Sequence, residues 1–163
     1  MATFSTSAFE LKYASGSSWS SGKARQGVYS GTRYEGAINF SGLSELDMSN
    51  IDITQIKMNI TFGPAGGDSR KNLTFYKATK NSISGSIASM RGDSIGAVSA
   101  EYAYDRSVTL TFSAASNAAI FSTLKAYFMA GSCVLIIYVP TAWHLLRRLL
   151  LRLPLRGCGD ADH

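Results

Sequence analysis

Cys133-Val134-Leu135-Ile136-Ile137-Tyr138-Val139 runs into Pro140, and then into Thr141-Ala142-Trp143-His144-Leu145-Leu146-Arg147-Arg148-Leu149-Leu150-Leu151-Arg152-Leu153-Pro154-Leu155-Arg156. Two sequence styles meet at that proline. The first stretch reads as a strand. Val134, Ile136 and Tyr138 point one way and Leu135 and Ile137 the other, so both faces are apolar. Such a strand belongs in the middle of a sheet, so it wants a following neighbour from beyond Pro140. The second stretch is almost wholly Leu and Arg. It holds four of the 16 Lys and Arg residues, and the 23 residues after Pro140 hold both His of the 163-residue chain. The division places a β-sandwich domain at 1–140 and a Leu/Arg-rich tail at 141–163.

Working back from Pro140, alternation of apolar and polar residues dominates. Tyr34, Gly36, Ile38 and Phe40 alternate with Glu35, Ala37 and Asn39. Ile56, Met58, Ile60 and Phe62 alternate with Lys57, Asn59 and Thr61. Leu73 and Phe75, then Val108, Leu110 and Phe112, repeat the pattern, and Phe9, Leu11 and Tyr13 open it. Breakers separate the runs at Ser15-Gly16-Ser17-Ser18, at 63–68 and at Arg91-Gly92-Asp93, the last read as a turn. One helix is predicted over about 117–130. Ser116 or Asn117 caps it, Ile120, Phe121, Leu124 and Phe128 face inward, and Gly131 ends it. Six or seven strands and one short helix predict an all-β fold, a jelly-roll-like antiparallel β-sandwich.

The tail carries three readings. A membrane span needs about 20 mostly apolar residues, and the arginines interrupt that run. An amphipathic helix places Arg148, Arg152 and Arg156 on one face, although leucines occupy most of the others and Pro154 breaks the last turn. Such a helix would lie on a membrane surface. The third reading is an out-of-frame segment. One base later, Trp143-His144 must yield a Gly codon, and suitable codons turn the rest into a Gly/Tyr loop and an alternating strand. Either way the chain is expected to be a short form of something longer, with a non-native-looking Leu/Arg helix at its end.

Composition narrows the function. The net charge of +5 comes from scattered residues: twelve Lys and Arg stand among nine carboxylates before Pro140. A nucleic-acid reader clusters its cations, so no nucleic-acid partner is expected. With no His before the tail, Ser-His-Asp and Cys-His catalysis are excluded from the domain, and the dispersed carboxylates offer no favoured pair. The chain is read as a non-enzyme. Cys133 and Cys158 make neither a disulfide framework nor a metal set, and no cofactor is expected. Met1-Ala2-Thr3-Phe4-Ser5-Thr6 has neither the basic nor the apolar region of a secretion signal.

Exposed aromatics that stack on sugar rings are the signature of glycan binding. Trp19, Tyr29, Tyr34, Tyr76, Tyr102 and Tyr104 are the candidates, Trp19 because a Ser/Gly loop is an odd place for a core residue. The plainer reading has Trp19 capping the sandwich and the tyrosines as ordinary strand residues. Arg91-Gly92-Asp93-Ser94 matches an integrin-binding tetrapeptide but is read as a turn. Asn59-Ile60-Thr61 and Asn72-Leu73-Thr74 fit the glycosylation sequon but lie in predicted strands.

Arg33-Tyr34-Glu35-Gly36-Ala37-Ile38-Asn39-Phe40-Ser41-Gly42-Leu43, then Ile53 through Phe62, then Leu73 through Lys80, resembles the N-terminal sandwich of tail-associated structural proteins of phages infecting Gram-positive bacteria. That module is similar to jelly-roll modules of bacterial surface proteins and to carbohydrate-binding modules. The resemblance covers residues 1–140. It implies a non-catalytic tail or host-adhesion module of a phage or prophage virion, or a carbohydrate-binding module of a cell-surface protein. The implied partners are other virion proteins, further copies of the chain and cell-surface glycan, with a membrane only through a native tail. The implied location is the virion, or the host cytoplasm before lysis. In the family a Gly/Tyr-rich loop and one more strand follow Leu135-Ile136-Ile137-Tyr138-Val139-Pro140; this chain departs at Thr141.

Overall fold

The structure, a computed structural model, describes residues 2–21, 24–40, 51–62, 70–101, 107–138 and 144–157. Among these residues eleven strands and two helices follow one another as β1 (Ala2–Ala14), β2 (Ser20–Ser21), β3 (Ala24–Tyr29), β4 (Thr32–Phe40), β5 (Ile51–Ile53), β6 (Ile56–Phe62), β7 (Arg70–Ala78), α1 (Ile87–Met90), β8 (Arg91–Glu101), β9 (Ser107–Phe112), α2 (Ala118–Met129), β10 (Val134–Tyr138) and β11 (His144–Gly157). The all-β, sandwich-like reading holds.

One layer runs β2-β1-β4-β10-β7-β8. The other is built on β11, with β1 and β3 along one side and β5 and β6 along the other; β9 lies beyond β6. Two strands belong to both layers. Ala2 to Ser7 of β1 pair with β11, and Ala8 to Ala14 pair with β4 across a bulge. Ala24 to Gln26 of β3 pair with β11, and Gly27 to Tyr29 pair with β4. The result is one curled antiparallel sheet folded over its own core. A bulge bends and twists a strand, which suits a corner where it changes layers.

The β3–β4 hairpin turns on Ser30 and Gly31, with φ of 49° and 79°. Two consecutive positive φ values match the right-handed twist of the strands, and glycine adopts them at no steric cost.

β10 sits mid-sheet, and all five of its residues are buried. Leu135 pairs with Ile38, and Ile137 with both Gly36 and Phe75, on the face toward α2. Phe40 extends that face and meets Phe128 edge-on at 6.2 Å. Ile136 lies between Ala37 and Tyr76 on the other face. The neighbours of β10 are β4 and β7, both already present before Pro140. The expectation that its missing partner would come from beyond Pro140 is therefore corrected.

α2 presents Phe121, Leu124, Tyr127 and Phe128 inward, one apolar stripe at helical spacing. Asn117 is its N-cap residue, but its side chain makes no capping bond; its amide donates to the Thr111 carbonyl at 3.3 Å. The helix ends as the sequence predicts. The Gly131 and Ser132 N–H groups return to the Phe128 and Tyr127 carbonyls, the pairing of a Schellman ending. Against β8 the helix comes close at Gly96, where a Cβ would lie 2.9 Å from Ile120 Cγ1.

Two further expectations are corrected. The tail is not a helix: His144–Gly157 is a 14-residue strand, the centre of the second layer. The arginine spacing of four was read with the helical period, but four is also even, so it keeps a strand's face as well. Leu151 and Leu153 are fully buried while Arg152 between them is exposed, which is strand alternation. Each such leucine contributes about 1.5–3 kcal/mol by burial. Pro154, which cannot donate, offers its carbonyl to both the Thr54 N–H and hydroxyl at 3.1 Å. The second correction concerns Arg91-Gly92-Asp93, which opens β8 rather than forming a turn. No described helix is long and apolar enough to cross a membrane.

Candidate functional site

The two layers each carry a polar assembly. On β4, residues 33, 35, 37 and 39 share a face, because side chains alternate along a strand. Glu35 is only 2% exposed there. A carboxylate so buried needs compensation. Arg33 supplies it at 2.9 Å and Arg91 of β8 supplies a second ion pair to the other carboxylate oxygen. The Arg33 guanidinium lies 3.8 Å from the centre of the Tyr138 ring, and that of Arg91 lies 5.9 Å from the Tyr76 ring. Burial opposes the Arg33 charge, but the hydrogen bond and charge of Glu35 outweigh it and hold the guanidinium above its ordinary value. The five side chains form a roof over Ala37 and Ile136, which keeps this face dry. Both Glu35 oxygens are occupied by guanidinium groups, so the arrangement is a clamp.

Beside it, Glu10 accepts from the Asn39 amide at 2.9 Å and pairs with Lys12 at 3.2 Å. Cys133 is buried nearby, and burial, with a further push from Glu10, raises its thiol. A thiol held protonated is a weak nucleophile.

The second assembly lies on the outward face of β9, β6 and β11. Lys57, Asn59, Thr109 and Arg152 line a shallow cavity of about 120 Å³. Asn59 donates from Nδ2 to the Thr109 hydroxyl at 3.0 Å, and Thr61 and Ser107 share a hydrogen bond at 2.7 Å one step along the ladder. Lys57 and Arg152 face each other directly across the β6–β11 pairing.

Of the aromatic residues predicted for glycan stacking, the side chains of Trp19, Tyr34 and Tyr76 are described, and these three do not gather. Trp19 is half-buried, packs against the core and donates its indole N–H to the Gly85 carbonyl at 2.7 Å. Tyr34 lies on β4 and meets Tyr13 edge-on at 6.1 Å. Tyr76 belongs to the roof over Ile136. Tyr29 ends β3, opposite Thr32. Tyr102 and Tyr104 lie outside the described residues. Asn59 and Asn72 of the two sequons lie within β6 and β7, as the alternation predicts.

Sequence reasoning missed both assemblies. Arg33 and Glu35 are two apart on one strand, a readable signal, but nothing local brings in Arg91. Arg152 was assigned to a helix, so its meeting with Lys57 was invisible. Among the described residues, no group of three or more His, Cys, Asp or Glu side chains converges to hold a metal ion. No protein-family model matches the chain, and no curated protein matches it in sequence.

Proposed function

We propose that this chain is a non-catalytic structural module of a phage or prophage virion, working in the tail or in host adhesion. One observation carries the reading. The three segments that resemble tail-associated sandwich modules coincide with framework strands: β4 and β7 in one layer, β5 and β6 in the other. The resemblance thus falls on the residues that build the fold rather than on scattered surface positions. The clamped Glu35 supports it, since the most buried carboxylate of the described residues is used to hold strands together.

Particles purified from an induced lysogen that carries the gene test this directly. Quantitative mass spectrometry is expected to find the chain in a fixed ratio to other tail proteins, resistant to salt washing. Recovery of the chain only from the soluble lysate, with particles devoid of it, overturns the proposal.

A further inference from the structure

We infer that the Lys57–Arg152 cavity binds a single oxyanion, a phosphate or carboxylate group carried on a sugar. The inference deepens the adhesion reading and rests on it for the sugar, but not for the anion.

Lys57 and Arg152 are cross-strand partners on one face. Like charges placed directly opposite on an antiparallel pair repel and destabilise it. Four other cations of the fold have such compensation: Lys12 has Glu10, Arg33 and Arg91 have Glu35, and Lys125 has Asp52 at 2.6 Å. Among the described residues neither Lys57 nor Arg152 has an ion pair, and no carboxylate lines the cavity between them. On its other side Lys57 faces Thr111, so no acid stands there either. An anion between the two cations converts the repulsion into two charge-assisted hydrogen bonds.

The remaining wall, Asn59 and Thr109, also offers donors. Asn59 gives one amide N–H to the Thr109 hydroxyl oxygen, which orients that hydroxyl's own proton elsewhere. The second Asn59 N–H and the Thr109 O–H are then free to donate. Two cations and two neutral donors set at fixed strand spacing suit a group with several acceptor oxygens and no donor. The cavity, at about 120 Å³, is well below the ~300–1,000 Å³ of sites that enclose whole small molecules. It takes one anionic substituent and leaves the bearer on the open sheet face.

Titration calorimetry on the full chain tests the site with sodium phosphate, glucose 1-phosphate and glucuronate, each against sodium chloride at equal ionic strength. Millimolar or tighter binding is expected for inorganic phosphate, with at least tenfold weakening in Lys57→Gln and in Arg152→Gln. The tighter of the two sugar probes names the substituent. Lys57→Glu guards against misfolding, because it pairs with Arg152: it should melt at or above the wild-type temperature and bind no anion. Equal heats with chloride, or phosphate binding unchanged in Lys57→Glu, overturn the inference. Absence of anion binding by a chain that is found in particles defeats this site alone. Binding by a chain absent from particles defeats the virion reading and leaves the anion site standing.

Discussion

Glu35 on β4 and Arg91 on β8 form an ion pair although β10 and β7 lie between their strands in the sheet. Together with Arg33 the pair ties four strands across one face. Removing Glu35 leaves two guanidinium groups facing each other over an apolar floor. Glu35→Ala is expected to cost about 1–3 kcal/mol, less than the ~3–5 for fully buried pairs, because Arg33 and Arg91 are 46% and 31% exposed and rehydrate. Urea denaturation measures it. A double-mutant cycle with Arg91→Ala should show coupling, and additive single losses would mean that the two side chains act independently.

The tail is expected to be indispensable to the fold. β11 pairs with β1, β3, β5 and β6, so a chain ending at Pro140 exposes unpaired backbone on four strands. That chain should lack a cooperative thermal transition. Leu153→Ala is the milder probe, with an expected loss of about 2–5 kcal/mol. Because Leu151 and Leu153 are in the core, the intact protein should not float with anionic vesicles. A well-folded 1–140 fragment, or flotation that depends on residues 141–163, would show that β11 is dispensable.

This is also where sequence reading reached its limit. The strands β4, β6, β7 and β9 were legible because apolar and polar residues alternate along each, although in β4 Glu35, Ala37 and Asn39 are buried as well. β10 was legible as a mid-sheet strand, since Leu135, Ile136 and Ile137 allow no wet side. β11 was not, because leucine favours helices and arginine at every fourth position satisfies both periods. β3 and β8 were missed for a related reason: Gly27, Gly92 and Gly96 interrupt their alternation. The clamp around Glu35 was half legible, as Arg33 and Glu35 share a strand face and Arg91 arrives through long-range pairing. The Lys57–Arg152 cavity depends wholly on β11 and could not have been seen without it.

Alkaline pH should weaken the fold through Tyr127. Its hydroxyl donates to the Val134 carbonyl at 2.5 Å and accepts from the Ala78 N–H at 2.9 Å, joining α2 to β10 and β7. Burial raises its ionisation above the usual value, and the Ala78 bond only partly offsets that. A raised value in the folded state means stability that is complete below about pH 10 and is lost as pH climbs through the folded value. Tyr127→Phe should cost about 1–3 kcal/mol at neutral pH by leaving the Ala78 N–H without its hydroxyl partner. It should also flatten the alkaline fall in melting temperature; an unchanged alkaline fall in Tyr127→Phe would assign it to other groups.

Gln26 is expected to be a net cost to stability. It is fully buried on β3, and neither its amide nitrogen nor its oxygen has a hydrogen-bond partner among the described residues. Such a group loses hydration without replacement. Gln26→Met keeps the volume and removes both polar atoms. The variant should gain about 1–2 kcal/mol and melt at a higher temperature. A lower melting temperature would mean that the amide serves the fold.

Trp19→Ala separates a structural tryptophan from a sugar-stacking one. The indole N–H is already committed to Gly85, and the ring packs against the core from the loop that also gives the Gly16 carbonyl to the Ile87 N–H at 2.8 Å. Removing the ring opens space beside the core and breaks the bond to Gly85, just ahead of α1. The half-buried position limits the cavity, so the expected loss is about 1–3 kcal/mol, below the ~3–5 of a fully buried aromatic. Binding of phosphate or a sugar phosphate at Lys57 and Arg152 should stay within twofold of wild type, because those residues lie on the other layer. Thermal denaturation and calorimetry on one sample read both quantities. Unchanged stability combined with lost binding to a glycan array would return Trp19 to the role of a stacking platform.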